Sequence, residues 1–161
     1  MREKEQHPQI TPERIMQLAW GYAPPLIIEA VIYNRIFDVL DGSAKTIDQI
    51  SSETDIPVRR LYALMNALTA FELLVKDEDS RYTLAPESSA FLVSTRPSFL
   101  GGLFRHISTQ LLPKWLTLNE VIRTGSSSTE ITRQSAELFQ QQVEDLYAMS
   151  YPAAQTLVEV L

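Results

Sequence analysis

The segment from Thr46 to Pro86 constrains the fold more than any other part of the chain, because its pattern changes from helical to strand-like. Residues 46–49 match a capping box, in which threonine and glutamine side chains satisfy backbone donors at a helix start. A polar turn and Pro57 precede a second helix, whose core face is predicted from helical spacing to be Val58, Leu61, Leu64, Met65, Leu68 and Phe71. Two short apolar runs then flank the charged tip 76–80. Helix, turn, helix and β-hairpin together predict a winged helix.

The segment 26–42 is the second constraint, because its apolar residues occupy nearly every face of a predicted helix. Asn34, Arg35 and Asp38 form a loose polar strip, and Glu29 stands alone on another side. A helix this apolar needs cover on most faces. It is either an ordinary central core helix or one that a second copy of the chain covers in part.

Further helices are predicted on both sides of these segments. Thr11 is expected to cap a first helix that runs to Trp20, and Pro24 and Pro25 are expected to break or kink the chain. The remaining predicted helices lie at 88–93, 99–123 with a break or bend near Pro113, 129–149 and 152–161. We therefore predict a mainly α fold: a winged-helix-like domain with a small β-hairpin wing and additional N- and C-terminal helices. The predicted regions are a flexible lead at 1–9, the winged-helix-like domain at 10–100 and a helical region at 101–161.

Charge and composition limit the classes of function. The net charge of −6 repels nucleic acid and gives no general attraction to anionic membranes. The absence of cysteine excludes disulfides and thiolate zinc sites, and it favours the cytoplasm. The N-terminus lacks the apolar core of a signal peptide, and charges interrupt the longest apolar stretch before the roughly 20 residues that a membrane span needs. Neither export nor a membrane span is expected.

The predicted second helix of the winged helix is a poor DNA reader. Its face opposite the core carries Arg59, Tyr62, Ala63, Asn66, Ala67 and Ala70. Only one arginine is squarely presented, whereas DNA readers present basic and amide side chains there. The wing tip carries Asp77, Glu78 and Asp79, and acids do not attract phosphate. A transcription regulator with a helical effector-binding tail is kept as the alternative function.

No self-contained active site is evident in the sequence. The two histidines, His7 and His106, have no partners at the spacing of a metal site or catalytic dyad, and Gly101-Gly102 lacks a cofactor-binding spacing. No catalytic, cofactor-binding or metal-binding residue is therefore predicted. Phe104, Trp115, Phe139 and Met149 could line an apolar pocket, although such residues usually belong to a core.

The order of these parts resembles the N-terminal dimerisation region of S-adenosylmethionine-dependent O-methyltransferases, of the type related to plant caffeate and hydroxyindole enzymes and bacterial tailoring enzymes. The resemblance runs from about Ile10 to Leu161. It rests on the order of the segments GYAPPLIIEAVIYNRIFDVLDG, TIDQISSETDIPVRRLYALMNALTAFELL, RYTLAPESSAFL, LPKWLTLNEVIRTG and ELFQQQVEDLYAMSYPAAQTLVEVL.

The resemblance implies that the winged helix interlocks two subunits instead of binding DNA. It implies a homodimer interface that includes Trp20, Tyr22, Leu26, Ile27, Ala30 and Ile32. It also implies that the pocket for a small-molecule hydroxyl acceptor is lined by Phe104, Trp115, Phe139, Leu146 and Met149, with Leu146 and Met149 competing for one position.

The chain departs from the family pattern at several places. An arginine-rich run in the second helix is replaced by Ala63-Leu64-Met65-Asn66, and the glycine after that helix is replaced by Glu72. The family's cofactor domain would follow Leu161. The 161 residues alone are thus expected neither to hold S-adenosylmethionine nor to transfer a methyl group, and the parent enzyme would carry both functions.

Overall fold

The computed structural model describes residues 10–125, 139–140, 142–147 and 149–150. The helices and strands are α1 Glu13–Trp20, α2 Ala23–Tyr33, α3 Ile36–Val39, β1 Lys45–Thr46, α4 Ile47–Thr54, α5 Val58–Ala70, β2 Leu74–Lys76, β3 Arg81–Leu84, α6 Pro86–Phe91, α7 Gly101–His106, α8 Leu112–Leu116 and α9 Leu118–Thr124. A π-helical turn at Ile107–Leu111 joins α7 to α8. The described residues of 139–150 are helical, and we call them the C-terminal segment. The predictions for 1–9, 126–128 and 152–161 lie outside the described residues.

A small antiparallel sheet completes the predicted winged helix. Its strand order is β1-β3-β2, with Lys45 opposite Tyr82 and Leu74 opposite Leu84. The sequence did not predict strand β1. Its two residues are too few to show an alternating apolar pattern, and their hydrogen-bond partners lie on β3. The mainly α, winged-helix-like fold class is confirmed.

The core lies between α2, α3, α4 and α5, with the sheet at one side. Its buried members are Val31, Ile36, Phe37, Leu40, Ile47, Ile50, Leu61, Met65, Leu68, Leu74, Tyr82 and Leu92. Most of the predicted core face of α5 is buried or half-buried, and Phe71 at its end is exposed. The helical spacing therefore identified the correct face.

The expectation of one continuous helix over 26–40 was wrong. The Asn34 side chain donates to the Ala30 carbonyl at 2.7 Å, and Arg35 adopts a left-handed φ of 57°, so α2 ends and α3 begins in a new direction. Ile36 and Phe37 consequently enter the core. The all-round apolar pattern thus arises in part because two helices with different core faces follow each other.

The break expected near Pro24 and Pro25 comes at Gly21 and Tyr22, just before these prolines. Pro24 and Pro25 lie in the first turn of α2, where proline is tolerated because those backbone N–H groups have no helical acceptor. Pro12 and not Thr11 occupies the N-cap of α1, and no side chain caps that helix. Pro113 lies inside the α7–α8 stretch, and the break comes at Thr117. The π turn before Pro113 brings the Leu112 N–H to the Ile107 carbonyl.

Local hydrogen bonds fix the start of α4 and the end of α5. The Thr46 hydroxyl accepts from the Gln49 N–H at 3.4 Å and the Thr46 N–H donates to the Gln49 side chain at 2.8 Å, which confirms the capping box. Helix α5 ends in a Schellman motif, because the Leu73 N–H donates to the Leu68 carbonyl and the Glu72 N–H to the Thr69 carbonyl.

Glu72 holds the left-handed position of this motif with φ of 60°. This is the position where the family pattern has glycine, and the chain adopts the same backbone conformation without it. A non-glycine residue there costs about 1–2 kcal/mol through contact between Cβ and the backbone.

We expect Glu72→Gly to raise the free energy of unfolding by about 0.5–1 kcal/mol, since removal of Cβ relieves strain while the unfolded chain gains some freedom. Thermal unfolding followed by circular dichroism measures the change. Glu78→Gly makes the same chemical change at an exposed residue outside the positive-φ positions. That control should be neutral or destabilising, and equal shifts for both variants would contradict the explanation.

Candidate functional site

Helix α1 carries an apolar surface that the described chain leaves open. Every residue from 11 to 20 is exposed, including Ile15 at 72%, Leu18 at 66% and Trp20 at 58%. Single exposed apolar residues are ordinary, but a contiguous group marks a site of interaction with another apolar surface.

Helix α2 continues this surface toward the core. Tyr22 is exposed, and its ring centroid lies 6.4 Å from that of Trp20. Leu26 and Ala30 are half-buried, while Ile27 and Ile32 are half-buried and pack against the core cluster. We call the exposed residues of α1 together with Tyr22, Leu26, Ile27, Ala30 and Ile32 the N-terminal apolar surface. The structure therefore places the six residues of the predicted dimer interface on α1, on α2 and in the short link between them.

The stretch Glu13–Tyr33 is long and apolar enough to cross a membrane by length and composition alone, and only 6% of its apolar window is buried in the single chain. The expectation that no stretch has the length of a span was wrong for this segment. Because the break at Gly21 and Tyr22 is short, helical residues extend along nearly all of it. Only its α1 half is exposed throughout, and another protein surface or a lipid phase can cover apolar residues of this kind.

The face of α5 opposite the core has the predicted character. Arg59, Tyr62, Ala63 and Asn66 are exposed, and Ala67 is half-buried. Small side chains leave this face shallow, with the phenol ring of Tyr62 as its largest feature. The surface has few groups that could donate to base edges.

The wing presents mainly acidic groups. The Asp77 carboxylate accepts from the Arg81 N–H at 2.8 Å, which fixes the turn, and the Lys76 ammonium lies 5.3 Å from the centre of the Tyr82 ring. Glu78 and Asp79 are exposed beside them. The tip therefore has an excess of negative charge at the position where a DNA-binding wing would meet phosphate.

The five predicted pocket residues lie on α7, α8 and the C-terminal segment. Phe104 is half-buried and packs against the core, and Leu146 is half-buried. Trp115, Phe139 and Met149 are exposed, with Trp115 at 64%. None of the five lines the polar cleft beside α3 and α4 or the small cavity between α2 and α7.

The structure contains a polar cleft and a smaller cavity that the sequence did not predict. An open polar cleft of about 700 Å³ is lined by Tyr33, Asn34, Arg35, Asp38, Val39, Asp41, Lys45, Glu53 and Thr54, with an ion pair of 2.6 Å between Lys45 and Glu53. A smaller cavity of about 120 Å³ lies between α2 and α7 and is lined by Glu29, Ile32, Tyr33, Phe99, Gly101, Gly102 and Arg105. No local pattern connects the segments that form either cavity.

The described residues do not fit a nucleotide-like cofactor. Their sheet is antiparallel, and the Gly101-Gly102 pair at the start of α7 is filled on both sides. An added Cβ at Gly101 would lie 2.0 Å from the Phe99 ring, and one at Gly102 would lie 2.5 Å from the Asp145 backbone. These glycines permit close packing and do not form an open cradle.

Metal and acid-base chemistry have little support in the described part of the chain. No group of three or more metal-ligating side chains occurs there. His106 is buried, and its Nδ1 has no hydrogen-bond partner. An isolated imidazole without a nucleophile or carboxylate partner does not constitute a catalytic site.

The family model of the O-methyltransferase dimerisation domain matches residues 16–94. The chain is 38% identical to the S-adenosylmethionine-dependent methyl transferase PigF of Serratia over 92 residues, which are 57% of the chain and 26% of PigF. It is 26% identical to the tetracenomycin 8-O-methyl transferase TcmO of Streptomyces glaucescens over 71% of the chain and 34% of TcmO. It is 25% identical to the N,N-dimethyltransferase OxyT of Streptomyces rimosus over 81% of the chain and 38% of OxyT.

The fold is also similar to a solved structure of PigF with SAH. The TM-score is 0.78 at 26% identity, and the similarity covers 90% of the chain and 45% of the PigF chain. The chain thus spans between about a quarter and a half of these relatives.

We expect duplex DNA to bind only weakly, with a dissociation constant above about 10 μM at 0.15 M salt, because α5 and the wing give few phosphate contacts. Fluorescence anisotropy of a labelled duplex measures this affinity. A variant with Asp77→Lys, Glu78→Lys and Asp79→Lys tests whether the wing tip can reach DNA. It should bind the duplex more tightly, because its wing attracts phosphate. Tight, strongly salt-dependent binding by the unmodified chain would support a DNA reader.

Proposed function

Residues 16–94 belong to the O-methyltransferase dimerisation domain family, and from this premise we propose that the chain is the dimerisation and substrate-pocket portion of a longer S-adenosylmethionine-dependent small-molecule methyltransferase. The observation that carries the proposal is the N-terminal apolar surface, most of which lies inside the matched residues and whose α1 part is exposed in a single chain.

A second copy of the chain is the proposed cover for this surface. In a two-fold symmetric interface, the same patch on each subunit faces its counterpart, so α1 and α2 of both copies would be buried together. Burial of apolar area gives roughly 25 cal/mol per Å², and Trp20 and Tyr22 belong to the residue types that contribute most at interface centres. Homodimerisation therefore removes the exposed apolar area without requiring another partner.

The second proposed role is to form one wall of the pocket for the methyl acceptor. Trp115, Phe139 and Met149 expose apolar side chains, Phe104 is half-buried against the core, and Leu146 is half-buried. A wall of this kind binds the apolar part of a small molecule, orients its reacting group and excludes water when the rest of the protein closes over it. We propose a hydroxyl group as the acceptor, since the relative TcmO is an 8-O-methyl transferase.

Methyl transfer itself is proposed for the longer protein. S-adenosylmethionine would supply the methyl group, and PigF, a relative of this chain, has been solved with SAH. The residues described here have no arrangement that fits this cofactor. Their contribution is to hold two subunits together and to bind and orient the acceptor.

We expect the chain to have a mass near twice 18.3 kDa in light scattering at about 20 μM, since a standard protein interface is stable at this concentration. Leu18→Asp should weaken dimerisation by at least about tenfold, because it buries an unpaired charge. Val75→Asp introduces the same charge at an exposed apolar residue of the wing and should leave the dimer unchanged.

A monodisperse monomer would contradict the dimer. Flotation with vesicles of neutral phosphatidylcholine, measured on the same sample, separates the remaining explanations. A monomer that floats with the vesicles would mean that lipid covers the N-terminal apolar surface. A monomer that stays in solution would leave the surface without the proposed role.

The proposed place in a longer enzyme predicts a second result. The protein produced by the native gene should have an intact mass well above 18.3 kDa and should bind S-adenosylmethionine in calorimetry, whereas the 161-residue chain should show no binding heat. A native product of 18.3 kDa that transfers no methyl group would contradict the proposed methyltransferase and would favour the transcription regulator instead.

A further inference from the structure

Helix α7 lies between the N-terminal apolar surface and the C-terminal segment. It packs on α2 around the 120 Å³ cavity, which Ile32, Tyr33, Phe99 and Arg105 help to line. Gly102, which also lines this cavity, lies against Asp145 of the C-terminal segment. One short helix thus contacts both the dimerisation helix and the segment that carries three of the proposed pocket residues.

The contact at Gly102 is a backbone contact. A Cβ added there would lie 2.5 Å from the Cα and carbonyl oxygen of Asp145 and 2.9 Å from its carbonyl carbon. Because backbone atoms cannot rotate away as a flexible side chain can, any larger residue would push the two helices apart. The separation of α7 and the C-terminal segment is therefore fixed at this point.

An ion pair lies next to the crossing. The Arg105 Nε donates to the Asp145 Oδ1 at 3.0 Å, and the Arg105 Nη2 contacts the same oxygen. The Asp145 side chain is only 3% exposed, whereas the Arg105 side chain is 51% exposed. A carboxylate buried to this degree needs its cationic partner, and the directional guanidinium restricts how the segment can rotate on α7.

Spacing along α7 concentrates these features on one face. Gly102 lies three residues before Arg105 and four residues before His106, so it is one helical turn away from both. His106 is 8% exposed whereas the Arg105 side chain is 51% exposed, so this part of α7 lies at the edge of the buried region. Close approach, an ion pair and burial occur together at one joint, which we name the α7 joint: Gly102, Arg105, His106 and Asp145.

We propose that Arg105 and Asp145 are a positioning pair, which sets the angle of the C-terminal segment on α7 and thereby the place of Leu146 and Met149 relative to α2. The role of Leu146 and Met149 as acceptor wall rests on the proposed function, but the geometry of the α7 joint does not. Through α7, the pocket wall is held in register with the helix that forms the dimer.

Distance measurement between two spin labels tests the positioning role. The chain has no cysteine, so Asp48→Cys on α4 and Ser150→Cys on the C-terminal segment introduce labels at two exposed residues. Labelled chain is diluted into an excess of unlabelled chain, so that each dimer holds one labelled copy. Pulsed dipolar spectroscopy then gives the distribution of the label-to-label distance.

We expect a narrow distribution for the parent and one about twice as wide for Asp145→Asn, because the segment loses the charge that fixes its rotation. Arg105→Lys keeps the charge but loses the fork and should give an intermediate width. Asp41→Asn is the matched control, since it removes another Arg–Asp pair, with Arg96 at 2.7 Å, outside the α7 joint. Its distribution should equal that of the parent.

All samples are measured well below their thermal midpoints, so that a general loss of stability does not widen the distribution. An unchanged distribution in both Asp145→Asn and Arg105→Lys would overturn the proposal. If Asp145→Asn fails to fold, Arg105→Lys and Gly102→Ala decide the question, since the added methyl group of Gly102→Ala should shift the mean distance. Light scattering of the same samples reports the dimer separately, so a monomeric parent with a narrow distribution would refute the proposed dimer and leave the positioning pair intact.

Discussion

Hydrophobic packing of α2 and α3 over α5 is the interaction on which the other parts of the structure depend. Val31, Phe37 and Met65 are fully buried or nearly so, and α4 and the sheet close around them. Burial on this scale offsets the conformational entropy lost by a small domain. Because the inner face of α2 is committed to this core, its orientation is fixed. Its outer face and α1 are then presented together as one apolar surface.

The same winged-helix topology can serve DNA or another protein, and the difference lies in surface chemistry. On α5 the exposed residues are Arg59, Arg60, Tyr62, Ala63, Asn66 and Ala70, and the wing carries Asp77 to Asp79 at its tip. Such surfaces repel phosphate but permit close approach of another protein surface. The fold alone would have suggested a regulator, and the side chains favour an interaction domain.

Helix α7 and the π turn after it connect this domain to the helices that follow. The π turn spans Ile107 to Leu111, directly before Pro113, whose ring cannot donate a helical hydrogen bond. It replaces the regular α-helical hydrogen-bond spacing between α7 and α8, the helix that carries Trp115. The α7 joint and the π turn are neighbours, so one short stretch sets the positions of both groups of proposed pocket residues.

Local physics accounts for what the sequence by itself determined. The capping box at Thr46, the buried face of α5 and the hairpin that ends at Leu84 depend on neighbours within a few residues, so periodicity and hydrogen-bonding side chains predicted them. The resemblance to a family predicted six interface residues, which the structure places on α1, on α2 and in the short link between them. Only the tertiary structure decided the strand β1, the break at Arg35, the two cavities and the contact between Gly102 and Asp145. Each of these depends on backbone groups distant in sequence or on a main-chain conformation that its own residues do not favour, and packing of the complete core selects it.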